Sequence, residues 1–323
     1  MLTTAMSANL LTNEYHSTLS PTTFVLAPAA LASQPATVSA PSITPVFTAP
    51  AVDQPSRPVV DTCHVWGVDF ARVDMPQTLE LVERVIERGH PEYLVTANLN
   101  YLMLSEQYPR LAEVNARSLA VVADGQPIVS RSRSTDKPLP CRVAGADLIV
   151  ELGRLSAEKG YRIFFLGAAP GVAQAAAAEL CRLFPALSVA GCYSPPFRQL
   201  TADEHRELLG MIHAAHADIL LVAFGQPKGE LWILDNLSDL RVPLSVQLGA
   251  SFDFLAGVSR RAPTLWQWLG AEWLYRALSN PRRLGPRYVK NILFLARCKL
   301  KDWGWLQPSQ PLVQPHGHRP TSS

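Results

Sequence analysis

The sequence predicts a Rossmann-like α/β domain: a largely parallel sheet with helices on both faces, followed by a basic helical appendage near the C-terminus. Short runs of β-branched and other apolar residues recur from Val59 onward, and strands that are apolar throughout are typical of a sheet covered on both faces. Between these runs lie segments with apolar residues at helical spacing. Strands that alternate with helices along a chain form parallel sheets.

Each predicted element follows from one of these two patterns. Buried strands are predicted at Tyr93–Ala97 (YLVTA), Leu119–Ala123 (LAVVA), Arg162–Leu166 (RIFFL), Ile219–Phe224 (ILLVAF) and Leu244–Leu248 (LSVQL), with a further strand through Ala190–Cys192. Amphipathic helices are predicted at Met75–Gly89, Asp147–Gly160, Pro170–Phe184 and Thr201–Ala215. Ligands of such sheets bind beyond the carboxyl ends of the strands, so the site is expected there.

The overall charge of the chain excludes some classes of binding partner. The 323 residues are 48% hydrophobic and include 29 Lys and Arg against 27 Asp and Glu, which gives a net charge of +2. This balance excludes a globally basic nucleic-acid-binding protein and an acidic disordered chain. No nucleic-acid partner is therefore expected, and any electrostatic function must lie in local clusters of charge.

Both ends of the chain differ in composition from its middle. Residues 1–58 are rich in Ala, Thr, Pro and Ser, and they are predicted to form a disordered leader because few bulky apolar side chains offset the entropy of ordering it. The Rossmann-like domain is then expected at residues 59–262, the basic appendage at 263–306 and a disordered tail at 307–323.

The sequence also predicts a cytoplasmic protein. The apolar run Phe24–Ala32 resembles the core of a signal peptide, but no Lys or Arg precedes it and prolines interrupt it. The five cysteines include no Cys-x-x-Cys pair, which fits a reducing compartment. No segment has the roughly 18 consecutive apolar residues that a membrane-spanning helix needs.

Small, polar or glycine-rich residues follow five of the predicted strands. They are Thr96-Ala97-Asn98, Asp124-Gly125, Gly167–Gly171, Gly225–Glu230 and Gly249–Asp253. Five such ends at one edge of a sheet form a coherent pattern for a single ligand crevice. Each end also has an ordinary alternative: Thr96 or Asn98 as a helix N-cap, Asp124-Gly125 as a turn, and the glycines as caps or tight turns.

Missing motifs narrow the chemistry of the ligand. Gly167–Gly171 before an Ala-rich helix would point backbone N–H groups at a phosphate. The stretch is not Gly-x-Gly-x-x-Gly, and no acidic residue ends the strand through Ala190–Cys192, which disfavours a dinucleotide cofactor. No two Asp stand at Asp-x-Asp spacing to hold a divalent ion. We therefore expect no metal and no cofactor, with Arg and Lys neutralising any diphosphate.

The segment from Arg276 to Lys301 is strongly basic. It has eight Lys and Arg in 26 residues and no Asp or Glu, and apolar residues alternate with the charges up to Trp303 and Trp305. An apolar stripe flanked by basic residues suits a helix lying at an anionic membrane surface. The alternative is a basic helix whose apolar face belongs to the core of its own domain.

A set of short motifs, in one order, resembles a known family. The motifs are Thr96-Ala97-Asn98, Ala123-Asp124-Gly125, Arg142–Asp147, Phe165–Ala168, Phe224–Lys228, Ser251–Asp253, Ala256-Gly257, Arg261–Pro263 and Glu272–Arg276. Together they resemble the WecG/TagA/CpsF glycosyltransferases over roughly residues 64–290. The resemblance implies an inverting, metal-independent transfer of a sugar from a UDP-sugar to a polyprenyl-diphosphate-linked saccharide at the inner membrane face. The enzymes of this family build teichoic-acid linkage units, enterobacterial common antigen and capsular or exopolysaccharides.

The resemblance also assigns roles to individual positions. Asp124 matches the proposed catalytic base, Thr96 and Asn98 match the polar pair beside it, and three arginines match those of the C-terminal appendage: Arg276, Arg283 and Arg287. The remaining substrate-binding candidates are Gly167, Gly225, Gln226, Lys228, Glu230 and Asp253. The sequence leaves open whether the protein is a monomer or a homo-oligomer.

Two positions depart from the family pattern. The family usually has Pro-Lys-Gln-Glu where this chain has Pro227-Lys228-Gly229-Glu230, so the active-site glutamine is missing from its usual place. Gln226, three residues earlier, is the conjectured substitute. Ala250 stands where the family commonly has glycine.

Two other functions stay open at this point. A non-catalytic nucleotide- or phosphate-binding regulatory module would use the same strand-end glycines, and Gly229 is the best argument for it. An NAD-dependent oxidoreductase would need the dinucleotide motif that the sequence lacks. Release of UDP from a panel of UDP-sugars separates transfer from binding alone.

Overall fold

The computed structural model describes residues 60–259, 261–263, 266, 275 and 281–304, with the backbone alone at 281–284. The predicted leader, the predicted tail at 307–323 and most of the first part of the appendage lie outside the described residues. Arg276 is also outside them.

The first described element is an antiparallel hairpin that the sequence analysis did not predict. Its strands are β1 (Thr62–Val65) and β2 (Val68–Ala71). The two residues between them, Trp66 and Gly67, both have positive φ angles, as the tight turn of a two-residue hairpin requires.

The remaining described strands form one parallel sheet of six, in the order β4-β3-β8-β7-β5-β6. They are β3 (Glu92–Ala97), β4 (Ala120–Ala123), β5 (Arg162–Gly167), β6 (Ser188–Tyr193), β7 (Ile219–Ala223) and β8 (Leu244–Gln247). The predicted Rossmann-like α/β class is confirmed. β8 lies between β3 and β7, so strands distant in sequence are neighbours at the centre of the sheet.

Helices surround this sheet. They are α1 (Met75–Arg88), α2 (Leu99–Gln107), α3 (Arg110–Arg117), α4 (Gln126–Ser132), α5 (Gly145–Lys159), α6 (Val172–Leu183), α7 (Ala202–Ala215), α8 (Lys228–Leu240), α9 (Ala250–Leu255) and α10 (Pro281–Asp302). The four predicted helices correspond to α1, α5, α6 and α7. Helices α2, α3, α4, α8 and α9 were not predicted from the sequence.

Alternate residues of the strands enter two separate hydrophobic cores, one on each face of the sheet. Val95, Phe164 and Leu220 belong to the first core, which also holds apolar residues of α2, α7, α8 and α10. Leu94 and Phe165 belong to the second core, with residues of α1, α5, α6 and α9. Both faces are therefore buried, which explains why the strands are apolar throughout.

The register of β3 and β4 places two polar strand ends side by side. Ala97 pairs with Ala123, and the backbone N–H of Asp124 donates to the Ala97 carbonyl over 2.9 Å. Asn98 and Asp124, the next residues of their strands, are consequently neighbours at the carboxyl edge of the sheet.

Candidate functional site

A cavity of about 240 Å³ lies at the carboxyl ends of β3, β4, β7 and β8 and is closed on one side by α10. The residues that line it include both polar and charged side chains. They include Thr96, Asn98, Asn100, Asp124, Arg142, Gln226, Gln247, Arg287, Tyr288 and Asn291. Ligands of parallel α/β sheets occupy this place.

Thr96 and Asn98 line the cavity and also support its walls. Thr96 is buried, and its hydroxyl donates to the Gln247 carbonyl over 3.3 Å, which joins β3 to β8. Asn98 is the N-cap of α2, with its side-chain oxygen accepting from the Tyr101 N–H over 3.2 Å. The capping alternative for Asn98 is thus confirmed, and its side chain still borders the cavity.

Asp124 directly follows β4 and is half-buried at the cavity wall. Gly125 comes next and is the N-cap of α4. A Cβ atom at Gly125 would lie 3.3 Å from Cδ1 of Ile128, a tight contact where the chain turns into the helix. The strand end and this turn therefore hold the carboxylate at the edge of the sheet.

Side-chain hydrogen bonds connect the strand ends to α10. Asn100 Nδ2 donates to Gln226 Oε1 over 3.1 Å, and Gln226 Nε2 donates to the Thr96 carbonyl over 3.4 Å. The oxygen of the Asn100 amide accepts a further hydrogen bond, from Arg287 Nε to Asn100 Oδ1 over 3.0 Å. Arg287 is therefore held at the same cavity as Asp124, although the two are 163 positions apart in the sequence.

Glu230 contacts Gln226 of this network but does not line the cavity. Its side chain is only 2% exposed, and its Oε2 has no hydrogen-bond partner among the described residues. Burial raises the pKa of this carboxyl to about 7, while a hydrogen bond with Gln226 opposes the rise. Glu230 is thus a buried acid that titrates near neutral pH next to a cavity residue.

The other predicted site residues are distributed unevenly. Gly225 lines the cavity with Gln226, whereas Gly167, Lys228 and Asp253 are not among its lining residues. At Gly167 a Cβ atom would approach the Ala223 carbonyl to 2.9 Å, so close packing of β5 and β7 accounts for this glycine. Arg283 lies in α10, but its side chain is outside the described residues, as is the whole of Arg276.

Several lining residues were not singled out as site residues from the sequence. Arg142 stands within a motif used for the resemblance, and Gln247 is a polar residue inside a predicted buried strand, which was an available signal. Asn100, Tyr288 and Asn291 lie inside helices and carry no comparable signal.

One face of α10 packs on the domain. Phe294 and Cys298 are buried in the first core, and Asn291 is buried beside them. Two interactions of charged side chains fasten the helix: Arg297 pairs with Glu106 of α2, and Asp302 pairs with Arg131 over 2.7 Å. The alternative in which the basic helix packs on its own domain is confirmed for this face.

The opposite face of α10 is apolar and exposed. Val289 and Leu293 lie there, with Leu293 65% exposed, and Trp303 just beyond the helix is 68% exposed. Lys290 and Lys299 are exposed on the same helix. Apolar side chains flanked by lysines form the kind of surface that binds an anionic bilayer.

The described residues form neither a cluster of metal ligands nor a membrane-spanning helix. Within residues 60–259 and the described parts of 261–304, no three His, Cys, Asp or Glu side chains lie together as metal ligands. In the same part of the chain, no helix combines the length and the apolar character needed to cross a bilayer.

Comparison with known proteins gives concordant matches. Residues 63–307 match the model of the glycosyl transferase WecG/TagA/CpsF family. The chain is also similar to an N-acetylglucosaminyldiphosphoundecaprenol N-acetyl-beta-D-mannosaminyltransferase from Bacillus spizizenii. The two are 31% identical over 240 residues, which is 72% of this chain and 91% of the relative.

Proposed function

The chain belongs to the WecG/TagA/CpsF family of glycosyltransferases, and from this premise we propose that it transfers a sugar from a UDP-sugar to a polyprenyl-diphosphate-linked saccharide. The transferred group is a hexose or an N-acetylhexosamine, and the product enters a cell-surface polysaccharide or exopolysaccharide. The observation that carries the proposal is that one cavity is lined by Asp124, by Thr96 and Asn98, and by Arg287 of α10.

In the proposed reaction Asp124 is the base. It accepts the proton of the acceptor hydroxyl, whose oxygen forms a bond to the anomeric carbon. The bond between that carbon and the β-phosphate oxygen of UDP breaks on the opposite face of the sugar, so the configuration inverts. One carboxylate is sufficient for this chemistry, because UDP leaves as a diphosphate anion and needs no general acid to protonate it.

Guanidinium groups stabilise the leaving diphosphate in this proposal. Arg287 and Arg142 both line the cavity, and the hydrogen bond from Arg287 to Asn100 orients its side chain. Positive groups fixed before the reaction stabilise charge that grows on the diphosphate without a reorganisation cost. Arg276 and Arg283 are proposed to add to this charge, following the resemblance, and the proposed transfer uses no metal.

The exposed apolar face of α10 is proposed to contact the membrane. The polyprenyl chain keeps the acceptor in the bilayer, so the enzyme must approach the cytoplasmic surface of the membrane. The same helix lines the cavity with Arg287 and exposes Leu293 outward. A peripheral position at the inner face, on anionic lipid, follows from this proposal.

The test is an assay of UDP release. Purified protein is mixed with UDP-N-acetylmannosamine, UDP-N-acetylglucosamine or UDP-glucose and with a polyprenyl-diphosphate-linked N-acetylglucosamine, the acceptor named for the Bacillus relative. Acceptor-dependent release of UDP from one donor is expected. Binding of UDP without release from any donor would instead identify the nucleotide-binding module that Gly229 leaves open.

A further inference from the structure

Gly229 is the second residue of α8 and has no room for a side chain. A Cβ atom built there would lie 2.5 Å from the side-chain amide carbon of Gln247, far inside van der Waals contact. The φ angle of Gly229 is not positive, so close approach, and not backbone conformation, is what requires glycine here. Gly229 and Gln247 are therefore a matched pair, one residue leaving the space that the other fills.

Gln247 uses that space to reach the turn after β7. It is the last residue of β8, is 5% exposed and lines the cavity. With its amide oriented to satisfy its neighbours, its nitrogen donates to the Val222 carbonyl over 2.6 Å and its oxygen accepts from the Gly225 N–H over 3.0 Å. The side chain thus fixes the backbone at Gly225.

Gly225 begins the turn that carries Gln226. Because Gln226 bonds to Asn100, and Asn100 accepts from Arg287, the position of this turn is linked to the position of the arginine in the cavity. A buried network of this kind specifies one arrangement when each member is satisfied. Removing the amide of Gln247 would leave the Gly225 N–H without its partner and loosen the first link.

We propose that Gln247 is a positioning residue of the substrate cavity and that Gly229 is the space that admits its side chain. This inference rests on the proposed function, because it states how the cavity is prepared for its substrates. Position 229 is also where the sequence departs from the family pattern. In this chain the side chain of Gln247, from β8, occupies the space beside position 229.

Three variants of the full chain test the pair. Gln247→Met keeps the size of the side chain and removes its hydrogen bonds, and Gly229→Ala forces the amide to move. Each is expected to lower kcat/KM for transfer by about tenfold or more, as loss of a buried hydrogen-bond partner implies. The reciprocal exchange G229Q/Q247G removes the steric conflict and keeps one carboxamide side chain at the pair, and it is expected to recover most of that loss, a coupling that distant residues do not show.

A second readout does not depend on catalysis. Hydrogen exchange of the Gly225 amide is expected to speed up in Gln247→Met, because its acceptor is removed. Asn236→Ala is the matched control: Asn236 is a buried amide on α8 that bonds only within its helix, to the Trp232 carbonyl over 2.7 Å in the described contacts. It is expected to leave kcat/KM and the Gly225 exchange unchanged.

The outcomes separate this inference from the proposed function. Wild-type kcat and KM in Gln247→Met, together with unchanged exchange at Gly225, would overturn the role of Gln247. A reciprocal variant no better than the poorer single variant would overturn the pairing with Gly229. Failure of the wild-type protein to transfer any sugar would count against the proposed function, while the exchange measurement would still decide whether Gln247 holds the turn.

Discussion

At the scale of single residues, Asp124 is the group on which the proposed reaction depends. Its backbone is fixed by the hydrogen bond to Ala97, so a change in its side chain leaves the strand end in place. Asp124→Asn preserves the shape of the side chain and removes its basicity. Turnover is expected to fall by about 100-fold or more, the size of a general-base contribution, with an unchanged circular dichroism spectrum.

The control for that variant is Asp136→Asn, because Asp136 is exposed and lies outside the cavity lining. It is expected to retain wild-type turnover in the same UDP-release assay. Full activity in Asp124→Asn would remove Asp124 from the role of base.

The buried carboxyl of Glu230 is expected to make the stability of the protein depend on pH. Its pKa in the folded protein is about 7 against an ordinary value of 4.5, so the folded state holds the proton more tightly than the unfolded chain. The associated stability is fully present below pH 4.5 and is lost as the pH rises through 7. The amide that replaces the carboxyl in Glu230→Gln does not titrate, so this variant lacks that pH-dependent contribution to stability.

Unfolding by urea at acidic and at mildly alkaline pH measures this effect. Between about pH 5 and pH 8, the wild-type protein is expected to lose on the order of 3 kcal/mol more unfolding free energy than Glu230→Gln. Other titrating groups cancel in the difference between the two proteins. Parallel pH profiles would show that Glu230 does not titrate in this range.

At the scale of elements, α10 has one apolar face that packs on the domain and another that is exposed. Its inner face buries Phe294 and Cys298, and its outer face exposes Leu293 and Val289. The pattern of apolar residues at helical spacing predicts a helix, but not which apolar residues face the domain. The alternative in which the helix packs on its own domain therefore applies to the inner face, and membrane contact by the outer face stays a prediction.

Leu293→Glu tests the outer face. Burying a large apolar side chain in a bilayer interface contributes about 1.5–3 kcal/mol, so co-sedimentation with phosphatidylglycerol-rich vesicles should weaken by about tenfold or more. Phe197→Glu is the matched control, because Phe197 is 85% exposed but lies outside α10. Equal vesicle binding by Leu293→Glu and the wild-type protein would contradict membrane contact by this face.

At the scale of the whole molecule, the C-terminal helix is part of the folded domain as well as of the cavity. Deleting residues 270–323 removes Arg287 from the cavity and uncovers the core around Phe294. Transfer is expected to be lost and the urea midpoint to fall, since truncating a buried aromatic residue alone costs about 3–5 kcal/mol.

Arg287→Ala separates these two consequences. Arg287 lines the cavity but is exposed overall, so its truncation removes little buried apolar surface, and the urea midpoint should change little while kcat/KM falls. A deletion variant with the stability of the full chain would show that α10 is not integral to the domain.

The strand ends could be predicted from the sequence for a simple reason. The buried strands are apolar throughout, and the carboxyl ends of parallel strands meet at one edge, so Thr96, Asn98 and Asp124 were expected together. Arg287 was placed with them by the resemblance. Gly167 and Asp253 were selected by the same rule and do not line the cavity, because a strand end can also be filled by packing, as it is at Gly167.

The strands of the sheet, four of its helices and the polar groups at its edge could be predicted from local patterns, because hydrophobic period and turn residues act over a few positions. Three features needed the folded protein to reveal them: β8 lies between β3 and β7, Gln247 enters the space at Gly229, and one particular side of α10 is buried. These features depend on contacts between residues far apart in the chain. Such contacts are set by how side-chain volumes fill the space between elements, a property that no local pattern contains.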